Sequence, residues 1–94
     1  MVPENRIPTH PGEILLEEFL RPAGVTQVAF AAHLGLPLQR VNEIVRGKRG
    51  VTPETAWLFA QSLNTTPEFW LNLQMTYDLA TKRTQRQIAQ LISR

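Results

Sequence analysis

The polar side chains of one short segment have the hydrogen-bonding groups that recognise the bases of DNA. Amide, carboxylate and guanidinium groups recur there at helical spacing, on Gln39, Arg40, Asn42, Glu43 and Arg46. Arginine donates two hydrogen bonds to guanine, asparagine or glutamine forms a bidentate pair with adenine, and a carboxylate accepts a bond from cytosine. Because the major groove admits one α-helix, we predict that this segment recognises base pairs as a helix.

Two cations, Lys48 and Arg49, follow this segment in a loop between two glycines. Phosphate contacts from such a loop would fix the register of the protein on the duplex and add salt-sensitive affinity without selecting a sequence. Residues 36–50 carry four cations and one carboxylate, a net charge of +3, whereas residues 1–20 carry one cation and four carboxylates, a net charge of −3. This separation suits a polyanionic partner, although a solvated surface would have the same composition.

Glu43 is the exception within this basic region, because a carboxylate that faces DNA lowers non-specific affinity. We expect it either to accept a hydrogen bond from cytosine or to orient Arg40 or Arg46. The alternative is a surface ion pair at helical spacing, which contributes at most a few tenths of a kcal/mol.

The apolar residues of the same segment predict which side of the helix is buried. At about 100° per residue, Val41, Ile44 and Val45 cluster on one side and Leu38 lies at the edge. Leu38 can offer only an apolar contact, for example with a thymine methyl group. We therefore predict a third helix over residues 37–46 that buries its apolar side and exposes its polar side.

Threonines, prolines and glycines predict four more helices. Threonine caps a helix and proline suits its first turn, whereas glycine ends a helix and proline disfavours helix at the residue before it. The signals are Pro11 at the start of the first helix, Pro22 and Gly24 at its end, Thr26 and Gly35 around the second, and the sequences TPET (52–55) and TPEF (66–69) at the starts of the fourth and fifth. Only two or three residues separate the second and third helices, as in a helix-turn-helix. No segment suggests a strand, so we predict an all-α domain of five helices, with a sixth helix or an extended fifth helix left open.

At 94 residues the chain has room for one domain. We interpret residues 1–9 as an extended lead-in, residues 10–80 as the helix-turn-helix domain and residues 81–94 as a basic, amphipathic tail. The absence of cysteine excludes a disulfide framework and a thiolate zinc site, and it fits a reducing cytoplasm. No segment resembles a signal peptide or approaches the ~20 apolar residues that span a bilayer, so we expect a cytoplasmic protein without a membrane partner.

The chain offers little for catalysis or metal binding. His10 and His33 are its two histidines, and neither has a ligand partner at i,i+4 spacing. Glu17 and Glu18 are adjacent, so their carboxylates diverge on a helix and cannot act as a pair. Because no glycine-rich phosphate loop follows a strand, we expect no metal, no cofactor and no enzymatic activity.

The fifth predicted helix has an apolar stripe that is wider than one core contact requires. Trp70, Leu73 and Tyr77 recur at helical spacing, and Phe69 and Leu71 widen the stripe. One recognition helix contacts only a few base pairs, so useful specificity needs two copies about 34 Å apart along the duplex. We therefore predict a homodimer with Trp70, Leu73 and Tyr77 in its interface. The alternative is that these side chains complete the core of the monomer.

The role of the tail, residues 81–94, stays open at this point. It combines four cations with an apolar stripe, namely Lys82, Arg83, Arg86 and Arg94 with Ile88, Leu91 and Ile92. Such a segment could extend the fifth helix, cover a partner subunit, or become ordered only on another protein.

The segment TQVAFAAHLGLPLQRVNEIVRG (26–47) resembles the helix-turn-helix of phage-repressor-like (XRE) regulators. This resemblance assigns the following roles: Gln27 opens the first helix of the motif and contacts DNA, Ala31 packs against the second helix, Gly35 forms the turn, and Val41 and Ile44 are buried. The resemblance therefore implies the same fold and the same recognition helix that the spacing of polar and apolar residues predicts.

More narrowly, the motifs HPGE (10–13), NEIVRGKRG (42–50) and TPEFWLNLQ (66–74) are similar in content and order to those of HigA-type (VapI-like) antitoxins. The similarity extends over residues 10–79. One departure is Pro37, where phage-repressor-like regulators commonly have a serine or threonine cap. Proline has neither a hydroxyl nor an N–H, which puts a cap-linked phosphate contact at this position in doubt.

The HigA resemblance implies a homodimer that binds an inverted repeat in its own promoter and represses it. It also implies that the protein binds and neutralises a small RelE-like toxin, a ribosome-dependent enzyme that cleaves mRNA. Two alternatives remain, namely a stand-alone XRE-family regulator without a toxin, and a protein-interaction module whose basic loop contacts an acidic partner.

Overall fold

Polar side chains begin four of the five helices in the computed structural model, which describes residues 7–93. The helices are α1, which joins Pro11–Ile14, Leu15–Leu20 and Arg21–Ala23; α2, Gln27–Leu34; α3, Leu38–Val45; α4, Pro53–Leu63; and α5, Pro67–Thr81. No strand occurs within the described residues. The predicted all-α helix-turn-helix fold is therefore confirmed. Of the predicted lead-in, residues 1–6 lie outside the described part of the chain, and residues 7–9 are not helical.

The predicted threonine caps are present at α2, α4 and α5. The Oγ1 atoms of Thr26, Thr52 and Thr66 accept hydrogen bonds from the backbone N–H three residues later, at 3.0, 3.3 and 3.1 Å. Each bond satisfies an N–H that has no partner within the helix. α3 differs, because Pro37 precedes it without a side-chain cap. α3 is also one residue shorter at each end than the predicted range 37–46.

The first helix continues through Pro22, so the prediction that this proline stops it is wrong. A proline in an α-helix clashes with the carbonyl group four residues before it. Here Leu15–Leu20 forms a wider π-helical turn, and the Arg21 N–H donates to the Leu16 carbonyl, five residues back. The wider turn changes the spacing that the proline ring meets, and the helix ends only at Gly24, whose φ of 69° is left-handed.

α1 and α3 cross at a glycine. A Cβ atom built on Gly12 would lie 1.7 Å from the carbonyl oxygen of Ile44, so a larger residue would force the two helices apart. The side chains of Val41 and Ile44 have no exposed surface. They pack in one core with Leu15 and Leu20 of α1. This close approach fixes which side of α3 faces inward.

Aromatic rings from four helices meet in the core. The ring centroids of Phe59 and Trp70 are 5.1 Å apart, those of Phe19 and Trp70 5.3 Å, and those of Phe30 and Phe59 5.6 Å. Trp70 is fully buried, and its Nε1 donates to Thr65 Oγ1 at 2.7 Å. This burial corrects the predicted placement of Trp70 in a dimer interface, because a side chain without exposed surface in the monomer cannot contact a second subunit.

α5 ends at Thr81, and residues 82–93 form no helix. The open alternative of a sixth helix or an extended fifth helix is therefore not realised in this part of the chain. All side chains from residue 82 to residue 93 are exposed. Among the helices within residues 7–93, none has the length and apolar character that crossing a membrane requires.

His10 caps α1 and links it to α5. Its Nδ1 accepts a hydrogen bond from the Gly12 N–H at 2.9 Å, and its ring meets the ring of Tyr77 edge to face, with centroids 4.8 Å apart. Partial burial lowers the pKa of His10 below its ordinary value of 6.5 and outweighs the opposite effect of Asp78, while Lys82 lowers this pKa further. The folded protein therefore favours the neutral ring.

We predict that the stability of the fold decreases as the pH falls through the range in which His10 gains a proton. A histidine whose pKa is lowered by folding stabilises the fold above the unfolded-state pKa of about 6.5, and this contribution is lost as the pH falls through the lower folded-state pKa. His10→Asn keeps a capping acceptor but does not titrate, so it should remove this part of the pH dependence. Denaturant unfolding between about pH 8 and pH 5 measures the effect. An identical pH dependence in both proteins would contradict the assignment.

Candidate nucleic-acid interface

The polar side of α3 faces solvent. Val41 and Ile44 are fully buried, whereas Gln39 and Arg46 are exposed and Asn42 is half-buried. This is the orientation that the hydrophobic spacing predicted. The side chains that could bond to base edges therefore project away from the core, as a helix that enters a groove requires.

An amide pair joins the two helices of the motif. Asn42 Nδ2 on α3 donates to Gln27 Oε1 on α2 at 3.3 Å, and both side chains are half-buried. Because Nδ2 carries two hydrogens, one remains for adenine N7, and the amide oxygen of Asn42 can accept from adenine N6. One turn earlier, Leu38 is 46% exposed and offers an apolar surface beside the amide.

Glu43 pairs with the basic loop and not with Arg40 or Arg46. Its Oε1 accepts from Arg49 Nε at 3.0 Å, and Nη2 of the same guanidinium lies 2.9 Å away. Its Oε2 accepts from Gln39 Nε2 at 3.3 Å. The bond from Arg49, followed by the bond from Gln39, lowers the pKa of Glu43 because both stabilise the carboxylate. The expectation that Glu43 orients Arg40 or Arg46 is therefore wrong.

Arg40 of α3 and Arg46, which directly follows α3, differ in their surroundings. Arg40 Nη1 lies 3.3 Å from Oε1 of Glu54 in the first turn of α4, and the Arg40 side chain is only 35% exposed. Arg46 is exposed and has no carboxylate within 4 Å among residues 7–93. Arg46 can bind a base without breaking an ion pair, whereas Arg40 must first leave Glu54.

The basic loop is folded back against the end of α3. The backbone N–H groups of Lys48 and Arg49 both donate to the Glu43 carbonyl, at 2.8 and 3.2 Å. Gly47 makes this turn with a φ of 73°, a conformation that favours glycine. Lys48 is exposed and has no carboxylate within 4 Å in the described part of the chain. The loop therefore presents an unpaired ammonium beside the paired guanidinium of Arg49.

Gln74 of α5 holds the end of this loop, a role that the sequence reasoning missed. Its side chain is 8% exposed, Oε1 accepts from the Val51 N–H at 2.7 Å, and Nε2 donates to Asp78 Oδ1 at 3.0 Å. A Cβ atom at Gly50 would lie 3.1 Å from the Gln74 side chain, tighter than ordinary contact. The available signal was a polar residue four positions after Trp70 on the buried side of a helix, since a buried amide needs hydrogen-bond partners.

The exposed apolar side chains of α5 differ from the predicted interface set. Leu73 and Tyr77 are half-buried, with Leu73 against the core and Tyr77 against His10. Met75 and Leu79 are 54% and 70% exposed, and their spacing places them on one side of the helix. Periodicity alone could not distinguish the two stripes, because both have helical spacing. α5 thus has a second apolar stripe that is open to solvent.

The helix-turn-helix family model HTH_3 matches residues 16–70 of the chain. This range contains α2, α3 and the basic loop, and it covers more than half of the sequence. The match therefore rests on the elements that present the candidate interface.

Individual relatives narrow this family further. Virulence-associated protein I of Dichelobacter nodosus is 40% identical over 90 residues, which are 95% of this chain and 83% of that protein. Antitoxin HigA-1 of Vibrio cholerae is 41% identical over 84 residues, 88% of this chain and 78% of that protein. The structure of Pseudomonas aeruginosa antitoxin HigA with the higBA promoter is 41% identical, with a TM-score of 0.78 over 80% of this chain and 82% of that one. The chain belongs to the HigA family of helix-turn-helix antitoxins.

Proposed function

We propose that this protein represses transcription from its own promoter and also binds and neutralises a RelE-like toxin that cleaves mRNA. The main support for DNA binding is the solvent-facing polar side of α3, with Val41 and Ile44 buried beneath it. The Pseudomonas aeruginosa relative with promoter DNA supports the same role. The name of the Vibrio cholerae relative, an antitoxin, supports a toxin partner.

In this proposal α3 enters the major groove and recognises bases directly. Asn42 and Gln39 form bidentate pairs with adenine, and Arg46 forms one with guanine. Leu38 packs against a thymine methyl group. Arg46 has no carboxylate to leave within the described residues, so its pair with guanine costs no internal contact.

Phosphate contacts come from the basic loop and from Gln27 at the start of α2. Lys48 binds a phosphate directly. Arg49 exchanges the carboxylate of Glu43 for a phosphate, and Arg40 exchanges that of Glu54 in the same way. Surface ion pairs contribute only about 0–1 kcal/mol, so these exchanges oppose binding weakly. The carboxylate that Arg49 leaves can then accept a hydrogen bond from cytosine.

Two copies of α3 bind the two halves of an inverted repeat. Half-sites on one side of the duplex are about 34 Å apart, which requires a homodimer that holds its recognition helices at this distance. The exposed stripe with Met75 and Leu79 on α5 supplies the main apolar surface for this dimer. Leu73 and Tyr77 lie on the opposite side of α5, against the core and His10, and contribute only their exposed edges.

We predict that substitutions of base-binding and phosphate-binding residues differ in sequence dependence. Lys48→Ala should weaken binding to all DNA sequences alike and reduce the slope of log K against log[salt] by about one per subunit contact. Arg46→Ala or Asn42→Ala should instead relax the choice of one base pair per half-site, at a cost of roughly 1–3 kcal/mol. Fluorescence anisotropy with operator and random duplexes over a salt series measures both. Equal losses on both duplexes for all three variants would contradict these roles.

We predict that Glu43→Gln increases affinity for random DNA. The substitution removes a charge that repels phosphate and releases Arg49 from its pair. A carboxylate about 4 Å from a phosphate in water costs about 1 kcal/mol, so binding to random duplex should tighten roughly fivefold for each subunit that contacts it. Glu17→Gln is the matched control, because it makes the same change of net charge and releases Arg21 from an ion pair on α1, outside the interface. An equal gain in both variants would show that only net charge matters.

We predict that a neighbouring gene encodes the RelE-like toxin and that co-expression of this protein restores growth to cells that express that toxin. Lys48→Ala is the informative variant, because it should lose DNA affinity and keep the rescue if the two activities use different surfaces. Growth curves and pull-down of the toxin measure the outcome. Failure of the unmodified protein to rescue growth would leave the stand-alone regulator as the function.

A further inference from the structure

An open groove lies between the segment before α1 and the middle of α5. Its volume is about 430 Å³, and its lining includes Pro8, Ile14, Phe69, Asn72, Leu73 and Thr76. Most of this lining is apolar, and Phe69 is 39% exposed there. The lining residue Asn72 lies one turn before the exposed Met75, so the groove borders the exposed apolar stripe of α5.

Two carboxylates without an ion pair border this groove. Glu18 lies one turn after Ile14 on α1, and Glu68 lies one turn before Asn72 on α5, so each shares a helix side with a lining residue. Both are exposed, and neither has a cation within 4 Å among residues 7–93. The groove thus combines an apolar floor with an acidic border.

The C-terminal tail has complementary properties. Ile88, Leu91 and Ile92 are 75%, 94% and 69% exposed. Arg83 and Arg86 are also exposed and have no carboxylate within 4 Å in the described part of the chain. One apolar groove with an acidic border would bury the three apolar side chains and form ion pairs with the two arginines.

The tail does not pack against its own domain. The radius of gyration is 15.9 Å, whereas a compact domain of this length has about 12 Å. The molecule measures 51 Å along its longest axis and 26 and 23 Å across it. With every side chain from residue 82 to residue 93 exposed, these dimensions describe a tail that projects from the helices.

We propose that the groove binds the C-terminal tail of a second copy of this chain, so that two subunits exchange their tails. This rests on the homodimer of the proposed function and specifies its interface. α5 has 15 residues and is about 22 Å long. When two such helices pair antiparallel through Met75 and Leu79 about a two-fold axis, the end of one lies beside Phe69 and Asn72 of the other. Each tail then emerges at its partner's groove, whereas its own groove would require a reversal after Thr81.

Disulfide cross-linking between two single-cysteine variants tests this exchange. The natural chain contains no cysteine, so Thr76→Cys in the groove and Ile88→Cys in the tail introduce unique thiols. The two full-length variants are mixed, allowed to exchange subunits and oxidised. We expect a covalent dimer that contains one copy of each. Ile88→Cys mixed with Gln61→Cys, an exposed position on α4, gives the background from random collision.

Two cross-linking results would overturn the proposal. One is a yield of the mixed dimer no higher than the collision background. The other is a disulfide that closes within one chain when both cysteines are placed in the same molecule, because the tail would then occupy its own groove. Shielding of the Thr76→Cys thiol from a maleimide only after toxin is added would likewise overturn it, because the toxin would then be the occupant.

Charge reversal tests the acidic border independently. Glu18→Lys and Arg86→Glu, both at exposed positions, should each raise the dimer dissociation constant at least threefold in sedimentation equilibrium. The combined variant should recover most of the loss. Gln61→Lys is the matched control for added positive charge. If the dimer dissociation constant of the combined variant rises by the product of the two single changes, the tail and the groove border do not contact each other.

The two proposals can fail separately. If the protein binds its operator as a dimer but the Thr76→Cys and Ile88→Cys variants do not cross-link, only the tail exchange is overturned. If the natural chain does not bind its operator, the proposed repressor function is overturned, whatever the cross-linking shows.

Discussion

The contact between Gly12 and the backbone of Ile44 is the constraint on which the rest of the structure depends. Nothing larger than a hydrogen fits between α1 and the carbonyl oxygen of Ile44, so α1 sits directly on the recognition helix. With Val41 and Ile44 enclosed, α3 cannot rotate without exposing apolar surface or separating the helices. The outward position of Gln39 and Arg46 follows from this packing and needs no interaction of its own.

The candidate interface is less positive than its composition suggests. The net charge of +3 in residues 36–50 includes Arg49, which binds Glu43, and Arg40, which binds Glu54 outside that range. These two arginines attract arbitrary DNA weakly, because each of their phosphate contacts must replace an ion pair. In the proposed complex, cognate DNA supplies a cytosine that bonds the released Glu43, whereas arbitrary DNA does not. Internal pairing of this kind therefore lowers non-specific affinity more than specific affinity.

The parts of the fold that the sequence predicted are those set by neighbouring residues. Thr26, Thr52 and Thr66 cap their helices through bonds that span three residues, and such bonds depend little on the rest of the chain. The orientation of α3 was predictable for a similar reason, since helical geometry alone places Val41 and Ile44 on one side. Pro22 shows the limit of local rules, because the π-helical turn before it has no signature in the sequence.

The contacts that escaped prediction join residues that are distant along the chain. Gln74 bonds the N–H of Val51 across 23 positions, and no spacing rule connects the two. Through this bond α5 contacts the basic loop, and the same helix carries the exposed apolar stripe. One side of the helix anchors the exit of the loop that contains Lys48, and the adjacent residue Met75 lies on the exposed stripe. A rigid helix cannot shift at Met75 without moving Gln74, so any partner that displaces α5 also displaces the anchor of the basic loop.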